Sequence, residues 1–207
     1  MANNAKLIIT NLDKLYPNAK CELRHRSNFQ FLIAVVLSAQ TTDYKVNSVT
    51  IDLFNRYKDA QSLSKAKLKD VENIIKPLGL YHNKAKSIIN LSKVLVEKYN
   101  SRVPNDRESL ESLPGVGRKT CNVVLNNCFN VPTFAVDTHV SRVSKRLNIA
   151  STNDDTDVIE EKLMSYFPKK YWGKLHHQFI FFGRYKCHSR NPECEDCPFK
   201  KICTYFE

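Results

Sequence analysis

The stretch Leu113-Pro-Gly-Val-Gly-Arg-Lys-Thr120 links two apolar helical segments through a turn that holds a proline and two glycines. Gly115 and Gly117 can take a positive φ and leave their amides uncovered. A helix opening at Arg118 turns its unbonded N–H groups and positive dipole end toward the same place. With Arg118, Lys119 and Thr120 beside it, the turn suits an anion, and a nucleic-acid phosphate is the obvious one. Lys119 itself has two readings: one more phosphate cation, or an amine nucleophile of the kind that forms Schiff bases. Asp137, in Val136-Asp-Thr-His139, opens a later helix. It is a good N-cap, and it is also a carboxylate that could assist the lysine. A P-loop is excluded, because that motif needs Lys directly after Gly and Arg118 intervenes. The GxGxxG dinucleotide pattern fails too, since Thr120 stands where the third glycine belongs and no strand precedes it.

A second cluster lies near the C-terminal end: Cys187-x6-Cys194-x2-Cys197-x5-Cys203. The segment around it has few aliphatic residues, so a metal centre is expected to hold it. Structural zinc sites favour paired C-x2-C knuckles, and here there is one such pair. An iron–sulfur cluster tolerates the irregular arms. Spacing leaves both metals open. Cys121 and Cys128 share one helix and read as small core residues.

The elements that must position these residues read as helices almost throughout. Residues 5–15 place Ile8, Leu12 and Leu15 at helical spacing. Phe29–Gln40 is apolar nearly all round and is expected to be buried. Helices follow over 43–57, after a cap at Ser64, and over 83–99, then a short one capped by Asn105 or Asp106. Arg118–Phe129, a helix capped by Asp137, one opened by Thr152-Asn-Asp-Asp155 and one carrying Leu175, Phe179 and Phe182 complete the chain. No period-2 alternation predicts a sheet. The fold class expected is all-α.

Lys and Arg number 32 against 21 Asp and Glu, a net charge of +11. A polyanionic partner fits that balance. Met1 to Lys6 is polar and lacks a signal-peptide core, and no apolar run approaches the ~20 residues of a membrane span. A cytoplasmic, reducing setting without a membrane partner is expected, and there the cysteines stay out of structural disulfides.

Taken together, the cysteine tail, the Leu113–Thr120 turn and Val136-Asp-Thr-His139 resemble the endonuclease III family of helix-hairpin-helix DNA glycosylase/lyases. Leu32-Ile-Ala-Val-Val-Leu-Ser-Ala-Gln-Thr-Thr-Asp43, Gly79-Leu-Tyr81, His176-His177 and Gly183-Arg-Tyr185 also fit, so the likeness covers nearly the whole chain. The resemblance implies a [4Fe-4S] cluster on Cys187, Cys194, Cys197 and Cys203. It implies two lobes with a DNA cleft between them: a six-helix barrel over 22–131, and a cluster domain formed by 1–21 with 132–207. It makes Lys119 and Asp137 catalytic, and it points to Gln40 and Leu80 as the residues that fill the gap left by an extruded base. From the residues alone, Gln40 is a polar helix end and Leu80 a core leucine. The resemblance also places the loop between the first two cluster cysteines on DNA phosphate. Here that loop offers Arg190, with Lys186 just before it, so a weaker phosphate contact is expected.

The function implied is base-excision repair of damaged double-stranded DNA. A monomeric bifunctional enzyme would remove oxidised pyrimidines and cleave the abasic strand by β-elimination. A glycosylase without lyase activity, similar to the adenine glycosylase that shares the cluster, is disfavoured by Lys119. A non-enzymatic helix-hairpin-helix binder would have no use for a carboxylate at Asp137. No clustered carboxylates stand ready for Mg²⁺, so no Mg²⁺ requirement is expected.

Overall fold

The computed structural model describes residues 2–205. Met1, Phe206 and Glu207, which begin and end the expected cluster domain, lie outside the described residues. Those described form eleven α-helices and two 3₁₀ turns, with no strand. No helix among them is long and apolar enough to cross a membrane. The chain divides into two compact units, one of Glu22–Asn130 and one joining the residues up to Cys21 to those from Val131 onward.

The helices are α1 (Ala2–Leu15), α2 (Asn28–Leu37), α3 (Asp43–Arg56), α4 (Ala60–Ser64), α5 (Leu68–Ile75), α6 (Tyr81–Lys98), α7 (Arg107–Glu111), α8 (Arg118–Phe129), α9 (Thr138–Arg146), α10 (Thr156–Tyr166) and α11 (Trp172–Tyr185). Within Glu22–Asn130, α2 is the central element. Ser27 caps it by accepting from the Gln30 amide, and every residue from Phe29 to Leu37 is buried. Helices α3, α6 and α8 all pack on it. It ends three residues before Gln40, which sits at φ +53° and so cannot continue a right-handed helix.

The expected cap at Ser64 is wrong. Ser64 is the last residue of α4, and α5 begins at Leu68 with no side-chain cap bond. The capping pair lies one helix earlier, at the start of α4: the Asp59 carboxylate accepts from the Ser62 amide at 2.8 Å, and the Ser62 hydroxyl accepts from the Asp59 amide at 3.3 Å. This reciprocal pair satisfies two helix-end donors at once, and no equivalent pairing forms at Ser64.

In the other unit, α1 packs on α11 and α9 packs between α10 and α11. Ile8, Leu12, Phe134, Phe179, Phe182 and Phe199 are fully or almost fully buried in one core. Phe134 meets Phe179 edge-on at 5.7 Å, and Phe182 meets Phe199 at 5.1 Å. Each such ring contributes roughly 2–3 kcal/mol by burial.

Candidate active site and metal centre

The hairpin is built by α7, α8 and the turn between them. Asp106 caps α7 through the Ser109 amide at 2.8 Å. Leu110, Leu113 and Val116 are buried and hold the turn down. Arg107 clamps the two helices, donating to Asn122 Oδ1 at 2.6 Å and to Glu111 at 2.8 Å. Gly115 has φ +80°, and a Cβ there would lie 3.1 Å from Ser87 Cβ and 3.3 Å from Val36 Cγ1. Conformation and close approach both require glycine. Gly117 differs from expectation. Its φ is −100° and its ψ 179°, an extended N-cap with no side-chain cap bond and open space around it. Its contribution is the missing side chain: a serine or aspartate there would cover the first amides of α8. Arg118 and Lys119 are exposed in that first turn, and Thr120 is half-buried.

Gln40 and Leu80 lie in the same unit and share one backbone feature. Both are non-glycine residues in the left-handed region, at φ +53° and +57°. Leu80 precedes α6 and is 60% exposed, which removes the core-leucine reading. Gln40 is exposed as well.

Asp137 belongs to the other unit. Thr133–Val136 is a buried stretch that leads to it. Asp137 caps α9, with Oδ1 accepting from the Val140 amide at 2.8 Å. His176 Nδ1 lies 2.8 Å from the Ala135 carbonyl, so that nitrogen carries a proton and donates, fixing the approach to Asp137. Burial and the neighbouring His176 push His177 down to about 3, leaving it neutral. His139 packs between α9 and α11: its Nδ1 is 3.2 Å from an Arg142 nitrogen, and its Cβ lies 2.9 Å from where a Cβ on Gly183 would stand. Only glycine at 183 allows α9 and α11 so close.

Cys187, Cys194, Cys197 and Cys203 are all free thiols and all line one partly open hollow. Leu147, Phe182 and Phe199 form apolar walls. Burial pushes the Cys187 and Cys197 thiols up. Arg146 donates to Cys187 Sγ at 3.2 Å, to the His188 carbonyl at 2.7 Å and to the Ser189 carbonyl at 3.2 Å. Arg142 donates to the carbonyls of Cys187 (3.1 Å) and Gly183 (2.7 Å). The segment is therefore better anchored than its composition implied. Among the described residues, no group of three or more His, Cys, Asp or Glu side chains is arranged to hold a metal ion as it stands. The donor set nonetheless fits an anionic thiolate-ligated cluster: four thiols share one space, part of its wall is apolar, and a guanidinium touches one sulfur. Arg142 and Arg146 are the residues that sequence reasoning missed. Their one local signal is two arginines four apart on one helix. Lys186 is half-buried at the end of α11, and Arg190 is exposed.

The HhH-GPD superfamily of base excision DNA repair proteins matches residues 33–169. Endonuclease III of Bacillus subtilis strain 168 is 48% identical, the match covering 97% of this chain and 93% of that protein. The chain belongs to the endonuclease III family. The Escherichia coli K12 endonuclease III is 42% identical over 97% of this chain and 94% of its own. A solved structure of a trapped endonuclease III–DNA covalent intermediate, an estranged-adenine complex, aligns with a TM-score of 0.95 at 46% identity, covering 99% of this chain and 96% of that one. Membership of the endonuclease III family makes this chain a base-excision DNA repair enzyme, a bifunctional glycosylase/lyase.

Proposed function

We propose that this chain removes oxidised pyrimidines from double-stranded DNA and then cleaves the abasic strand by β-elimination, with Lys119 as nucleophile. The neutral Lys119 amine attacks the sugar C1′ as the C1′–N bond to the base breaks. Ring opening gives an iminium at C1′. Loss of a C2′ proton then expels the 3′ phosphate, and water returns the amine. Asp137 supplies the carboxylate that takes a proton from the amine and offsets positive charge on the opening sugar. The base must first leave the helix. Gln40 fills its place by hydrogen bonding to the orphaned partner, and Leu80 wedges between stacked bases. The uncapped start of α8, with Gly115, Gly117, Arg118 and Thr120, holds phosphate, and Lys186 and Arg190 add a weaker contact.

The observation that carries this reading is an exposed Lys119 in the first turn of an uncapped helix, in a chain 46% identical to an endonuclease III trapped covalently on DNA. Cys187, Cys194, Cys197 and Cys203 would hold a [4Fe-4S] cluster, whose chemistry when bound is to cross-tie the four thiolates. The reading extends to a barrel domain of 22–131, a cluster domain of 1–21 with 132–207, a monomer, no Mg²⁺ requirement and a cytoplasmic place of work. Borohydride trapping on an abasic-site duplex in EDTA tests the chemistry. The parent should form a covalent adduct and Lys119→Ala none, with duplex affinity only modestly reduced because one cation among 32 is lost. An adduct that survives Lys119→Ala removes Lys119 as nucleophile.

A further inference from the structure

Lys84 is 6% exposed, an unusual state for a lysine. It stands in the first turn of α6, where its amide donates to the Leu80 carbonyl at 3.0 Å. Its ammonium reaches back across 43 residues to donate to Thr41 Oγ1 at 2.6 Å. Thr41 comes directly after Gln40. Its own hydroxyl donates to the Ala39 carbonyl at 3.3 Å and its amide to the Ser38 carbonyl at 3.1 Å. One side chain therefore joins the loop carrying Gln40 to the turn carrying Leu80.

Two considerations set this contact apart from ordinary packing. A buried ammonium is costly, and a carboxylate would compensate it far better than a neutral hydroxyl does. Burial indeed pushes the Lys84 ammonium below the usual lysine range. A methionine would fill the same space at lower cost, so stability does not explain a lysine here. Moreover, the two segments it joins each hold a non-glycine residue in the left-handed region. Such conformations persist only where the surroundings over-determine them.

We propose that Lys84 is a positioning residue whose bond to Thr41 latches the Gln40 loop to the Leu80 turn, fixing the spacing of the two side chains that enter the duplex. The inference rests on the roles proposed for Gln40 and Leu80. Its consequence is specific: the latch matters only when a base must be extruded and its gap filled.

The test uses Lys84→Met, Thr41→Val, Thr41→Ser and the double variant Lys84→Met/Thr41→Val in the full protein. Single-turnover excision from a damaged duplex should fall roughly 10- to 100-fold in Lys84→Met and in Thr41→Val, the range of one charge-assisted hydrogen bond. The double variant should be no worse than either single, and Thr41→Ser should stay within about twofold of the parent because the hydroxyl remains. Borohydride trapping on an abasic site in a single strand, which has no partner base and no gap, should be unchanged in all four. Parental excision by Lys84→Met overturns the latch, as does a double variant whose losses multiply. So does a loss of affinity for undamaged duplex with a salt slope lowered by about one, which would make Lys84 a phosphate contact. If Lys84→Met does not fold, the contrast between Thr41→Val and Thr41→Ser decides the matter from the other end of the bond. A parent that traps on neither substrate overturns the functional reading and the latch together. A parent that traps beside an indifferent Lys84→Met overturns the latch alone.

Discussion

The hairpin in Glu22–Asn130 and the cysteine segment after α11 are both short, irregular stretches, yet they are held by opposite means. The hairpin is shaped by backbone conformation: Gly115 at φ +80°, an extended Gly117, and a clamp from Arg107 within the same two helices. The cysteine segment is shaped by side chains from elsewhere. Arg146 reaches Cys187 Sγ across 41 residues, and the Thr204 amide returns to the Arg146 carbonyl at 2.9 Å. A motif of the first kind is written in neighbouring residues. One of the second kind is written in residues that show no local reason to meet.

If this contrast holds, damage to each region has its own signature. The largest effect after loss of Lys119 is expected from Asp137→Asn. Asparagine keeps the cap on α9, so thermal stability should hold while excision falls about 10²–10³-fold, or ~3–4 kcal/mol. Excision at the parental rate in a single-turnover assay would leave Asp137 as a cap and nothing more. Arg146→Met should do the reverse. Three hydrogen bonds to the cysteine segment are lost, and the unfolding free energy should drop by about 2–3 kcal/mol, with undamaged-duplex affinity retained. A denaturant midpoint equal to the parent's would show that the segment does not depend on its distant anchor.

A pH effect is expected from His177. Its folded-state value is about 3 against 6.5 unfolded, so the unfolded chain binds the extra proton. The contribution is complete above pH 6.5 and is lost as pH falls toward 3, amounting to about 2 kcal/mol by pH 5. His177→Gln should flatten that part of the stability–pH profile, and an unchanged slope would refute the assignment. The smallest effect is expected from Gly117→Ser. The site has room and the backbone is extended, so the serine should cap α8 and raise stability by a few tenths of a kcal/mol. The same hydroxyl would cover phosphate-binding amides, so duplex affinity should fall. Titrations in which both rise together would show that the amides do not meet DNA.

The same division explains how much of the molecule is legible in its amino-acid order. Arg118–Phe129 is bounded to the residue because a glycine-rich turn precedes it and Asn130, at φ +54°, ends it. The turn, the four cysteines and the cap at Asp137 are patterns of near neighbours, and each is visible. Ser64 misleads because a capping residue is recognised by the residues just after it, whereas Asp59 with Ser62 already opens a short helix that takes in Ser64 as its last residue. The backbone of Gly117 misleads because composition gives the freedom of a glycine but not the use made of it. Arg142, Arg146 and the Lys84–Thr41 bond stay hidden, since contact across 41 to 45 residues leaves no periodic trace.

Helix α1 is built into a unit whose other helices come more than a hundred residues later. Gln178 on α11 donates to Asp13 Oδ1 at 2.7 Å and to the Tyr16 carbonyl at 3.2 Å, and Lys174 pairs with Asp13 at 2.6 Å. On the ribosome, α1 therefore emerges well before its partners exist. Glu22–Asn130 can close around α2 while Ile8 and Leu12 still have no core to enter. Contacts of such long sequence separation form slowly, because the loop must close before they contribute anything. The order of synthesis thus sets an order of assembly, in which the hairpin is ready early and a nascent amphipathic helix waits for α11 before it has a place to bury its apolar face.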